Sequence, residues 1–151
     1  MCIRDRYGNP NVIDRTASIG NKFEPGKRPM STMTPIIMFD ENNALKLISG
    51  SPGGALIPAA VLRVITGLID FNLNIGEATM LPRLHKDWPY ETLRIEKNFS
   101  IDTLEILKSH GHKLEDSKTM GSTQSIYISS KGNEGFSDLR RPNAGVAIQI
   151  D

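Results

Sequence analysis

Thr34-Pro35-Ile36-Ile37-Met38-Phe39, followed by Asp40-Glu41-Asn42-Asn43 and then Ala44-Leu45-Lys46-Leu47-Ile48, is the stretch from which the fold is read. Two short apolar, β-branched runs joined by a polar four-residue turn form a β-hairpin. Their near-continuous hydrophobicity predicts strands covered on both faces. The second strand ends in Gly50-Ser51-Pro52-Gly53-Gly54, and an apolar helix follows at once, running to about Phe71. In that helix Arg63, Thr66, Gly67 and Asp70 share a narrow stripe at spacings of three and four, and aliphatic residues fill the rest, which predicts a largely buried helix.

Upstream, residues Tyr7 to Pro29 are rich in Asn, Gly, Pro and charge and read as extended loop. Downstream, Asn74 and Glu77 have capping-box spacing for a short helix over Gly76 to Met80, stopped by Pro82. Leu93 to Glu96 alternates like a strand. Ser100 is placed to cap a helix whose apolar set is Ile101, Leu104, Ile106 and Leu107 and whose stop is Gly111. Gln124 to Ser129 reads as a strand ending in a turn at Lys131-Gly132-Asn133, and Val146, Ile148 and Ile150 repeat a period of two. About five strands and three helices, partly segregated, predict an α+β fold with helices layered on mostly antiparallel sheet.

The 151 residues suit one domain or part of one, and 18 basic against 17 acidic residues leave a net charge of +1. No overall positive field exists to hold nucleic acid or an anionic membrane. The most apolar stretch, Ala55 to Leu73, is interrupted by Arg63 and Asp70, so no membrane span is expected. No signal peptide is readable either. Residues 1–6, Met1-Cys2-Ile3-Arg4-Asp5-Arg6, look like a translated adaptor tract foreign to the rest. Without them residues 7–151 are neutral and lack cysteine.

Chemistry has two candidate locations. The glycine junction before the helix leaves backbone N–H groups without partners at the positive end of a helix dipole, which suits a phosphate, a carboxylate or a developing oxyanion; for such a junction taken alone, a simple tight turn is the more common explanation. The hydroxyl run Ser31-Thr32-Met33-Thr34 enters the first strand at the same sheet end and can donate to a carboxylate, or serve turn and capping bonds. The junction lacks the Lys and Ser/Thr of a nucleotide-binding loop, and Ser51 is not on a Gly-x-Ser-x-Gly elbow. His110 and His112 flank the helix stop and read as surface caps; with His85 they make no metal set, and no metal or other cofactor is expected. Trp88 reads as packing, and Asp138-Leu139-Arg140-Arg141 as an exposed charge cluster of little energetic weight. Donors are present without a nucleophile and base.

Five motifs in order carry a resemblance: Pro25-Gly26-Lys27-Arg28-Pro29-Met30-Ser31-Thr32-Met33-Thr34-Pro35; Gly50-Ser51-Pro52-Gly53-Gly54; Asn74-Ile75-Gly76-Glu77-Ala78 with Pro82-Arg83; Met120-Gly121-Ser122-Thr123-Gln124; and Ser137-Asp138 with Arg140-Arg141-Pro142. Together they resemble the C-terminal part of the small subunit of gamma-glutamyltransferases, over Tyr7 to Asp151. The resemblance implies part of an N-terminal-nucleophile hydrolase with a four-layer αββα sandwich. It implies a precursor that cleaves itself to expose a nucleophilic threonine, which would lie upstream of Tyr7. It further implies that Gly53 and Gly54 form the oxyanion hole, that Ser31 and Thr32 bind the α-carboxylate of a γ-glutamyl substrate such as glutathione, and that Met33 shapes the wall. The partners implied are the large subunit and the N-terminal part of the small subunit, in the periplasm or outside the cell, with this chain inactive alone and prone to aggregate through exposed edges. Thr32 stands where a second serine is usual, Leu139 where a proline is usual, and Ala55-Leu56 where some members have serine and arginine. A related cephalosporin or glutaryl acylase, or a noncatalytic anion-binding module, are the other readings.

Overall fold

A computed structural model of the chain describes residues 25–26, 33–87 and 90–147. The chain divides into two units, Met1–Thr32 and Met33–Asp151; in the first, Pro25 and Gly26 form an exposed turn. The second unit carries all that follows.

The hairpin forms as predicted, from β1 (Ile36–Phe39) and β2 (Leu45–Gly50), antiparallel, with Ile37 opposite Ile48 and Met38 opposite Leu47. Its turn is closed by Asp40, whose carboxylate accepts the Asn42 and Ala44 N–H groups at 2.9 Å each, while Asn43 takes the left-handed conformation at φ +62°. Beyond the glycine junction a 3₁₀ turn (Gly54–Leu56) leads into α1 (Ile57–Ile69), and α2 (Ile75–Met80) follows. Both arms of the α2 capping box are made: Glu77 N–H donates to the Asn74 side chain at 2.9 Å and Asn74 N–H to the Glu77 carboxylate at 3.1 Å.

β6 (Gln124–Ser129) pairs with β2, and β7 (Gly132–Ser137) pairs with β6, giving an antiparallel sheet in the order β1-β2-β6-β7. A second sheet joins β3 (Leu84–His85), β4 (Thr92–Ile95) and β5 (Lys113–Asp116), with β4 and β5 parallel and linked by α3 (Ile101–Ser109). Ser100 caps α3 through the Thr103 N–H at 3.2 Å, and Gly111 at φ +83° ends it. These elements establish an α+β fold. Among the described residues no helix is long and apolar enough to cross a membrane.

The core joins Leu47 of β2, Val64 and Leu68 of α1, and Ile75 and Ala78 of α2, with Met38, Tyr127 and Phe136 packed against it. Burying each large aliphatic here contributes about 1.5–3 kcal/mol. Gly67 belongs to this contact and not to a polar stripe: a Cβ on it would come within 2.8 Å of the Ala78 Cβ. The glycine marks close helix approach, a property that polarity patterning does not register. The helix is buried on one side only, since Leu62 and Ile69 on its other side are exposed.

Coverage of the hairpin on both faces is likewise corrected. Leu47 is buried toward the helices, whereas Ile37, Phe39, Ile48 and Ile126 are exposed at 62%, 53%, 39% and 46%. Ile37, Ile48 and Ile126 occupy one row across three strands. The alternation of the pleat sends every second residue to the far side, and no described element covers that side.

Three strands escape sequence patterning. β5 has one apolar residue in Lys-Leu-Glu-Asp, β3 has two residues, and β7, Gly-Asn-Glu-Gly-Phe-Ser, begins where the turn was expected because the turn is the tighter Ser130-Lys131. Val146 and Ala147 are not in a strand; Val146 packs on Gly135, and the remainder of the expected C-terminal strand lies outside the described residues. Trp88 also lies outside them.

Candidate functional site

The junction between β2 and α1 is built from two glycines that no other residue replaces without strain. Gly53 has φ +142° and Gly54 φ +60°, both in the region that L side chains rarely adopt. No acceptor among the described residues takes the Gly53 or Gly54 N–H, and both residues are exposed. Two adjacent free donors therefore stand at the head of a helix, where an anionic oxygen is stabilised by the N–H dipoles and the helix field together.

The Met120–Thr123 loop packs behind this junction. A Cβ on Gly53 would lie 3.3 Å from the Gly121 Cα, and Ser122 N–H donates to Ser51 Oγ at 2.9 Å. The loop is in turn fixed by four buried ionic side chains. Glu96, at the end of β4, accepts the Met120 N–H at 2.6 Å and the Arg83 N–H at 3.0 Å, and takes Arg140 through Nε and Nη2 at 2.9 and 2.6 Å. Asp138, just past β7, accepts Arg83 Nη2 at 2.7 Å, the Thr123 N–H at 2.9 Å and the Arg140 N–H at 3.0 Å. Arg83 also donates to the Met120 carbonyl at 2.7 Å, and Arg140 to the Thr79 and Leu81 carbonyls at 2.9 Å.

Asp138 and Arg140 are therefore not an exposed charge cluster: Asp138 is fully buried and the Arg140 side chain only 9% exposed. Leu139 between them is 71% exposed. Burial weakens the Arg83 charge, and the neighbouring Arg140 adds to this, so the Arg83 pKa is lowered. Burial pushes the Asp138 carboxyl up, but the Arg140 and Thr123 N–H groups and the Arg83 charge more than offset it and hold it below the ordinary carboxylate range. Burial likewise opposes the Arg140 charge, and Glu96 more than offsets that and raises its pKa. Two cations and two anions balance, and further guanidinium donors reach the Thr79, Leu81 and Met120 carbonyls, while Arg83 Nε is buried without a partner among the described residues. Such a set tolerates burial as a whole and not the loss of one member.

The sequence places Pro82-Arg83, Met120–Thr123 and Asp138–Arg140 far apart; the fold brings all three motifs together behind the glycine junction. Glu96 was missed by motif reading, because in the alternating Leu93-Arg94-Ile95-Glu96 pattern it falls on the polar phase with Arg94, which reads as solvent-facing. Met33 is exposed, and Met33–Pro35 enters β1 at the end where β2 leaves for the junction, since Ile36 pairs with Ser49. Ser31 and Thr32, the expected carboxylate ligands, lie outside the described residues. His110 caps α3, its Nδ1 2.8 Å from the Ile106 carbonyl oxygen. Among the described residues no group of His, Cys, Asp and Glu could hold a metal.

A cleft of about 380 Å³ lies elsewhere, between α1 and β3, and includes Arg63, Thr66, Leu84 and His85. Thr66 donates its hydroxyl to the Arg63 carbonyl and the His85 ring is held by Asp87 at 2.7 Å, so these two are not joined as nucleophile and base.

Comparison with known proteins shows the family. Residues 5–148 match the family model described as gamma-glutamyltranspeptidase. The glutathione hydrolase proenzyme of Escherichia coli K12 is 42% identical over 134 residues, covering 88% of this chain and 23% of that protein. The crystal structure of a Helicobacter pylori gamma-glutamyltranspeptidase mutant superposes with a TM-score of 0.77 at 38% identity, over 89% of this chain and 74% of that one. Cephalosporin acylase from Bacillus halodurans, at 27% identity and a TM-score of 0.70, shares 80% of this chain and 23% of its own. This chain, which spans about a quarter of the length of its E. coli relative, belongs to the gamma-glutamyltranspeptidase family.

Proposed function

We propose that residues 7–151 are part of the small subunit of a glutathione hydrolase, with residues 1–6 foreign to it, and that the Gly53 and Gly54 N–H groups are its oxyanion hole. The observation that carries this reading is the pair of adjacent donors at positive φ, without an acceptor among the described residues and backed by the Met120–Thr123 loop, in a member of this family. A threonine outside this chain attacks the γ-carbonyl carbon of a γ-glutamyl amide; the carbonyl oxygen takes the negative charge and accepts both N–H bonds. Collapse expels the amine, which leaves with a proton, and the acyl-enzyme is released to water or to an amino acid. Loss of one such donor costs about 10²–10³-fold in rate. Ser31 and Thr32 would hold the substrate α-carboxylate.

The bare row of Ile37, Ile48 and Ile126 supports the four-layer sandwich, because a second sheet stacked on it would bury that row about 10 Å away. That sheet, the nucleophile and the groups for the substrate amine would come from the large subunit and the N-terminal part of the small subunit, in an enzyme working in the periplasm or outside the cell.

The test is a hybrid in which residues 7–151 replace the matching region of the E. coli enzyme. It is expected to release a chromogenic anilide from its γ-glutamyl conjugate, whereas the isolated chain releases none above a buffer blank. The likeness to cephalosporin acylase favours a second reading, a related acylase of the cephalosporin or glutaryl type. A hybrid that cleaves glutaryl amides faster than γ-glutamyl amides would select it.

A further inference from the structure

We propose that Ser51 is a positioning residue that sets the direction of the Gly53 N–H, and that the buried Glu96, Arg140, Asp138 and Arg83 set holds the loop against which Ser51 is fixed; this rests on the oxyanion-hole reading.

A peptide unit is planar. The Pro52 carbonyl and the Gly53 N–H belong to one peptide unit, and in the trans form they point in opposite directions, so anchoring one aims the other. Ser51 donates its hydroxyl to the Pro52 carbonyl at 2.8 Å. The next unit is treated the same way, for Leu56 N–H donates to the Gly53 carbonyl at 3.2 Å and thereby aims the Gly54 N–H. Without those anchors two consecutive glycines would be the least ordered part of the junction, since glycine loses the most conformational freedom on folding.

Ser51 itself needs fixing, because a hydroxyl on a turn has three staggered positions. Its oxygen accepts the Ser122 N–H at 2.9 Å, which selects one. That donor is steady because its loop is held on both sides. Met120 is bonded through its N–H to Glu96 and through its carbonyl to Arg83, and Thr123 through its N–H to Asp138. Such charge-assisted bonds are about twice as strong as neutral ones. Gly121 at φ +70° completes the fit: a Cβ there would be 2.7 Å from Ser51 Oγ and 3.2 Å from the Pro52 carbonyl oxygen. The chain of contacts runs from buried charge to loop backbone, to a serine hydroxyl, to a carbonyl, and through one rigid peptide to a donor.

The test uses the hybrid enzyme described above. Ser51→Ala is expected to lower kcat about tenfold or more with KM within about twofold, because the donor acts on the developing oxyanion and little on the ground state. A γ-boronic acid analogue of glutamate, which forms a tetrahedral adduct, should bind about tenfold more weakly to Ser51→Ala, while glutamate itself binds unchanged. Ser51→Thr, which keeps the hydroxyl, should restore kcat to within about threefold. A merely structural role would move both affinities together. An active hybrid in which Ser51→Ala matches the unsubstituted enzyme in kcat and boronate affinity overturns the positioning role alone. An unsubstituted hybrid without activity overturns the oxyanion-hole reading and this inference with it.

Discussion

Glu96, Asp138, Arg83 and Arg140 lie inside this molecule, whereas Ile37, Phe39, Ile48 and Ile126 lie on its outside. The usual ordering of charge and hydrocarbon is inverted at two places for two reasons. The charges are inside because together they are neutral and because each carries backbone partners that neutral side chains could not hold as firmly. The aliphatics are outside because no described element covers that face of their sheet. One inversion is complete within the described residues; the other lies on the face where the proposed sandwich would stack its second sheet.

The largest expected effect separates these cases. Arg83→Met removes one cation from the balanced set and leaves Asp138 and the Met120 carbonyl short of a donor; it should destabilise by about 3–5 kcal/mol, measured by urea unfolding followed by circular dichroism. An unchanged midpoint would mean the buried charges do not hold the fold. Leu47→Ala, in the core on the covered side of the same sheet, should cost about 2–5 kcal/mol in the same measurement.

Acid should reveal the inner set next. Asp138 has a folded pKa below its unfolded value, so its contribution is complete above the unfolded value of about 3.9 and is lost as pH falls through the folded pKa. Stability measured from pH 7 downward should therefore fall below about pH 4, and Asp138→Asn, already destabilised at pH 7, should show a flatter profile there. The smallest effect on stability belongs to the outer row. Ile37→Lys with Ile126→Lys should shift the unfolding free energy of the isolated chain by less than about 0.5 kcal/mol per site while lowering its light scattering. A large loss of stability would show that this face is already covered.

Local signals were legible wherever the physics is local. The Asp40–Asn43 turn, the Asn74 and Glu77 box, the Ser100 cap and the Gly111 stop each depend on atoms within a few residues, and each is found. The Gly53–Gly54 turn was legible for the same reason. β5 and β7 were not, because a strand that carries one apolar residue or two glycines is defined by its neighbour's hydrogen bonds and not by its own periodicity.

By itself the sequence determined the hairpin, the caps, the Gly53–Gly54 turn and, through five ordered motifs, the family. Only the tertiary structure decided that Asp138 and Arg140 are buried and that Glu96 joins them. Whether a charged side chain lies in water or inside depends on partners 44 and 55 residues apart in chain order, Glu96 with Arg140 and Arg83 with Asp138, and on backbone groups that turn toward it only when both sheets are in place. Charge in a sequence carries no label for depth, and its depth is set by what the fold brings to neutralise it.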